Sequence, residues 1–273
     1  MEIVDTHAHL YAEDEARYPM KENPLKPPAG TGTIAHLRQV TRLAGVAKVV
    51  AVQTGTAYLY DNSFMADTVK ANSDWMKGVC LLNPHDPRSP MKLTRLVEVY
   101  GVRGLRVSFT GEHHYDGLLR LWEAAHRLGI VICALLKEDD FRILTRYIKR
   151  FTEVPVIIDH CAYLSASEAP GFPTLKALLK LKRFTNVYLK LSFLVMGSME
   201  PYPCRDTHGL AKRVIEEFGA ERCMWGSDFP TELWIPKVTY QQHLRIFMEE
   251  IGLSEDVKKA ILETTPMKLW FPS

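Results

Sequence analysis

"MEIVDTHAHL", residues 1–10, joins a short apolar run to two histidines separated by one residue. Side chains at i and i+2 of a β-strand point to one face, so His7 and His9 are expected to project together from the end of a first strand. Two imidazoles at that spacing can grip one metal ion or polarise one carbonyl. Taken alone the pair reads more readily as a turn and a satisfied surface histidine, and the rest of the chain has to decide. Seven more strand-like runs follow: "KVVAVQ" (48–53), "MKGVCLL" (76–82), "VRGLRV" (102–107), "GIVICALL" (129–136), "VPVIID" (154–159), "NVYLKLS" (186–192) and "RCMWGSD" (222–228). Helical patterns lie between them, such as "GLLRLWEAAHRLG" (117–129), which ends in the glycine expected at a C-cap. Eight β-then-α units in a chain of 273 residues have the size and rhythm of a closed (β/α)8 TIM barrel. No glycine-rich phosphate loop follows the first strand, which argues against a doubly wound sheet. No Ser/Gly linker divides the chain, so one barrel domain is expected over residues 1–273.

Composition narrows the function classes. With 47% hydrophobic and 24% charged residues the chain is an ordinary globular one. A net charge of +2 supplies no field that would favour nucleic acid. The apolar runs fall far below the roughly 20 residues that span a bilayer, so no membrane partner is expected. The five cysteines are scattered without a C-x-x-C pair, and three sit in apolar runs as small core residues. Strand-like sequence from Glu2 leaves no room for a signal peptide, and a reduced, cytoplasmic protein is expected, with room for a homo-oligomer.

Barrel enzymes carry their chemistry at the C-terminal ends of the strands. That rule selects His7 and His9 after strand one, His160 after strand six and Asp228 after strand eight. By alternation Val156, Ile158 and His160 would share a face, as would Met224, Gly226 and Asp228. Strand four carries Arg106, in phase with Gly104 and Ser108, and strand seven carries Lys190, in phase with Tyr188 and Ser192. Charges flanked by aliphatics in a strand are rarely buried without a partner or a purpose. Arg106 and Lys190 are expected to hold a substrate carboxylate or hydroxyl, or else to pair with Asp5 or another acid inside the barrel. His113 and His114 lie on a loop of the same face. Segments 11–32 and 193–206 are long enough to shape a pocket.

The motifs "VDTHAHL", "YDNSFMADTVKANSDWMKGV", "GVRGLRVSF", "LLRLWEAAHRLGIVI", "VIIDHCAY", "VYLKLS" and "MWGSDFP" occur in an order that resembles the amidohydrolase superfamily. The resemblance is to its lactonase-like branch of amidohydrolase-related proteins, which opens pyrone-dicarboxylate and sugar lactones, and it covers nearly the whole chain. It implies that Asp228 is a general base and that His7, His9 and His160 polarise a carbonyl, directly or through a metal. The implied metal set is His7, His9, His160 and Asp228, holding one divalent ion, zinc or manganese. The branch also has metal-free members. Strand five, "GIVICALLKED", carries no histidine, which excludes a standard two-metal site. The expected reaction is hydrolysis of a small carboxylate-bearing lactone. The alternative on the same scaffold is a metal-dependent decarboxylase of an aromatic or unsaturated acid.

Overall fold

A computed structural model describes residues 1–109, 115–136 and 140–272 of the protein; His113 and His114 lie outside the described residues. Eight parallel strands pair in sequence order. They are β1 (Ile3–Ala8), β2 (Val46–Val52), β3 (Met76–Leu81), β4 (Val102–Ser108), β5 (Val131–Leu135), β6 (Val156–Ile158), β7 (Val187–Lys190) and β8 (Cys223–Met224). The chain beyond β8 closes the circle on β1. Thr6 N donates to Trp225 O at 3.3 Å, Asp228 N to His7 O at 2.9 Å and His9 N to Phe229 O at 2.7 Å. Both histidines and Asp228 therefore sit on the seam of the barrel.

Helices between the strands cover the outside. In α1 (Tyr115–Leu128) the buried residues Leu118, Leu121, Trp122 and Ala125 recur at helical spacing and face the sheet. The helix stops at Gly129, whose φ of 62° suits a residue without Cβ. Inside the barrel Val50, Val52, Val79, Val131, Cys133, Ile157, Tyr188 and Met224 form one cluster with Leu269 and Trp270. Trp270 comes from the last helix, α2 (Thr265–Trp270), and plugs the floor. A Cβ on Gly104 would stand 3.0 Å from its ring. The floor is therefore filled with apolar side chains, and polar side chains gather at the opposite end, where the strands terminate.

The expected inward phase holds for β4, β7 and β8 and is off by one residue in β6. The inward residue of β6 is Ile157, while Val156 and Ile158 face the outer core. Alternation continued from Ile157 points Asp159 inward, not His160. His160 reaches the mouth because the backbone turns left-handed over His160, Cys161, Ala162 and Tyr163, with φ between 46° and 60°.

Candidate active site

The strand ends gather a compact group of mostly buried polar side chains. His7 Nε2 lies 3.2 Å from His9 Nε2, and Asp228 Oδ1 lies 3.5 Å from His7 Nε2 and 3.8 Å from His9 Nε2. One donor atom from each of these three residues fits within 4.8 Å of the others, as the strand-one and strand-eight motifs imply. His160 is not in this set, which departs from the expected four-ligand group. Its Nδ1 is 2.7 Å from Ser192 Oγ, and its Nε2 is 3.5 Å from an Nη2 of Arg106.

Asp159 organises the opposite wall. Its Oδ1 is 2.8 Å from Lys190 Nζ and its Oδ2 is 3.2 Å from Arg106 Nε. Asp159 and Lys190 are fully buried. Lys190 is also 2.9 Å from His7 Nδ1. Of the two roles expected for Lys190, the structure shows the buried ion pair: its ammonium lies beneath His7, and the acid that pairs with it is Asp159 rather than Asp5. Arg106 keeps a foothold at the mouth, with 11% of its side chain exposed. Asp159 was legible in principle, since an inward parity counted from Ile157 selects it.

Asp5 has a separate task behind the pocket. It accepts bonds from Ser227 N at 2.8 Å, Ser227 Oγ at 2.6 Å, Tyr240 OH at 2.9 Å and His7 N at 3.0 Å. These bonds tie β1 to the loop that carries Asp228. Two aromatic side chains flank the histidines. The ring of Trp234 lies 5.5 Å from that of His9, and the half-exposed Tyr163 ring lies 5.3 Å from that of His160. Segment 193–206 adds less than its length suggests, because Phe193, Leu194 and Val195 are fully buried and pack the loop down. His243 is fully buried against Trp225 and Phe247 and is a core histidine.

Burial dominates the electrostatics. It pushes His9 and His160 down to about 3, with the Arg106 charge adding to the fall. It pushes His7 well below its usual range, helped by the Lys190 charge. Burial also drives the Asp228 carboxyl up to about 7, against the pull of Arg106 and Lys190. For Asp159 burial acts upward too, but Lys190 and Arg106 outweigh it and hold the carboxylate below its ordinary value. Two carboxyls in one pocket are thus driven apart, one staying an anion and one poised near neutrality, the separation that sorts acid–base roles in active sites.

The amidohydrolase family model matches residues 4–271. A 2-pyrone-4,6-dicarboxylate hydrolase of Comamonas testosteroni is 25% identical over 98% of this chain and 90% of its own length. An L-fucono-1,5-lactonase of Burkholderia ambifaria is 26% identical over 68% of this chain and 66% of its own length. Among solved structures, a probable 2-pyrone-4,6-dicarboxylic acid hydrolase of Acinetobacter baumannii with citric acid bound superposes with a TM-score of 0.82 and 19% identity, covering 99% of both chains. With the strand-one histidine pair, the closing aspartate and this match over nearly its full length, the chain belongs to the amidohydrolase family of hydrolases.

Proposed function

We propose that the protein is a lactonase opening a small, carboxylate-bearing cyclic ester. The observation that carries this reading is the Asp228 carboxyl, buried, raised to about 7 and facing the Nε2 atoms of His7 and His9. A general base works best with a pKa near the working pH. Asp228 takes a proton from water as the water oxygen bonds to the lactone carbonyl carbon. The tetrahedral intermediate then collapses, the ring C–O bond breaks, and Asp228 returns the proton to the departing oxygen, leaving a hydroxy acid. His9 donates from Nδ1 to Val52 O, 2.9 Å away, so its Nε2 presents a lone pair that orients the same water. His7 polarises the carbonyl. Arg106, held by Asp159 and His160, receives an anionic group of the substrate as a planar fork. Tyr163 and Trp234 wall the mouth with rings suited to a flat substrate.

A divalent ion at this mouth would supply Lewis-acid polarisation. His9 fits the habit of metal-bound histidines, which donate their far N–H to a carbonyl or carboxylate. His7 does not, because an ammonium occupies its far nitrogen. Two suitable donors, His9 and Asp228, fall short of the three protein ligands that a catalytic zinc uses. The set therefore does not fit an ion as it stands, and no step above passes through one.

The test is a panel of small lactones, with and without a ring carboxylate, assayed by acid release before and after chelation. Ring opening that favours carboxylate-bearing lactones and ignores the chelator is expected. Carbon dioxide release from aromatic acids, with lactones left intact, would establish the decarboxylase instead. Loss of turnover on chelation, restored by zinc or manganese, would refute the metal-free reading.

A further inference from the structure

The two histidines of one motif turn the same nitrogen, Nε2, to the pocket but with opposite hydrogen-bonding character, and the cause is Lys190. An ammonium has three N–H donors and no acceptor, so at 2.9 Å Lys190 donates to His7 Nδ1, which must offer a lone pair there. A neutral imidazole carries a single N–H, and that hydrogen is left on Nε2, the nitrogen facing His9 and Asp228. Asp159 Oδ1, at 3.8 Å from His7 Nδ1, is too far to accept a hydrogen bond from it. It anchors Lys190 instead. His9 has the reverse arrangement, with Nδ1–H on Val52 O and a bare Nε2. The 3.2 Å between the two Nε2 atoms is then a donor–acceptor distance rather than a lone-pair clash.

We propose that Lys190 is a positioning residue that holds His7 in its Nε2–H form, so that the His7–His9 pair meets the pocket as one donor and one acceptor, bonded to each other until a carbonyl and a water take their places. Without the ammonium, His7 is free to turn its lone pair to the pocket and join His9 and Asp228 as a third metal ligand. Lys190 thus decides whether this three-donor cluster binds an oxygen or an ion. The readouts below need no substrate, so they succeed or fail independently of the lactonase reading.

The experiment is long-range 1H–15N NMR on the full chain labelled in histidine, with His7 assigned by the signals missing from His7→Gln, together with Zn2+ titration. Wild type and Lys190→Arg, which keeps an N–H donor, are expected to show His7 as Nε2–H and to bind Zn2+ weakly. Lys190→Met is expected to lose that form and to bind Zn2+ about 10- to 100-fold more tightly, the range through which partners of metal-ligating histidines act. If Lys190→Met fails to fold because Asp159 loses its main partner, Lys190→Met/Asp159→Asn makes the same comparison without the stranded charge. His7 found as Nδ1–H in wild type overturns the proposal. So does an unchanged tautomer or an equal Zn2+ affinity in the methionine variant.

Discussion

Asp228 combines three properties that are individually costly: a left-handed backbone with φ of 56°, almost complete burial and a carboxyl held near 7 by that burial. The folded chain keeps the proton up to about pH 7, while the unfolded chain releases it near the ordinary 3.8. Between those values the native state binds more protons, so the stability contributed by the neutral carboxyl is present at low pH and lost as the pH rises through about 7. Catalysis has the opposite sign, because only the ionised form accepts a proton. The rate, kcat/KM, should therefore rise along an acidic limb centred near pH 7 while thermal stability falls over the same interval. Asp228→Asn separates the two effects. Asparagine tolerates the left-handed backbone and carries no charge to bury. It should lower lactone hydrolysis by about 10²- to 10⁴-fold and melt above wild type at pH 8.5, with the gap narrowing toward pH 4.5. Turnover retained within a few fold would remove Asp228 from the role of base.

The left-handed turn at 160–163 is the element that converts β6 into part of the site. Four successive non-glycine residues at positive φ each carry a cost of about 1–2 kcal/mol relative to right-handed backbone. The turn is held from outside: Cys161 Sγ donates to Lys190 O at 3.3 Å, and Cys161 and Ala162 are buried in the core. In return the turn aims His160 at Arg106 and sets the Tyr163 ring over the mouth. Strain at a ligand-facing turn is a recurrent feature of functional sites. Ala162 contributes only a methyl group, so Ala162→Gly should relieve more strain than glycine costs in chain entropy. A gain of about 0.5–1 kcal/mol is expected, measured by urea denaturation, with the site geometry retained. A loss of more than about 1 kcal/mol would mean that packing of the methyl group outweighs backbone relief.

At the scale of the molecule, the barrel closes through Asp5 as much as through strand pairing. Regular pairing at β8 covers only Cys223 and Met224, and the join continues as the Asp5 cluster of Ser227, Tyr240 and His7. All four donor groups are buried, and Asp5 is the acceptor they share. Asp5→Ala takes that acceptor from all four, leaving Ser227 Oγ with His7 O at 3.3 Å. Buried unsatisfied groups cost about 1–3 kcal/mol each, so a loss of at least about 3 kcal/mol in chemical denaturation is expected. Asp5→Asn keeps one acceptor oxygen and should lose less. Equal stability of the alanine variant would show that strand pairing alone closes the barrel. Because Ser227 precedes Asp228, the same cluster links barrel integrity to the position of Asp228.

The eight-strand rhythm, the barrel and its C-terminal mouth were legible in the chain, because strand runs and helical stripes are local patterns enforced by burial on one face. His7, His9, Arg106 and Asp228 could be placed at the mouth for the same reason: alternation holds where the backbone stays extended or, at Asp228, where the chain still hydrogen-bonds to β1. Three things depended on tertiary structure. His160 is delivered by a left-handed turn that no propensity of "DHCAY" signals, since its cost is met by the surrounding core. Asp159 pairs with Lys190 and Arg106 across strands, so whether Lys190 faces substrate or a carboxylate is a matter of three-dimensional distance. The far nitrogen of each histidine finds its partner on another strand, His9 on β2 and His7 on β7. Residue identity supplied two imidazoles, but which of their nitrogens carries the proton was decided by what the folded barrel placed behind them.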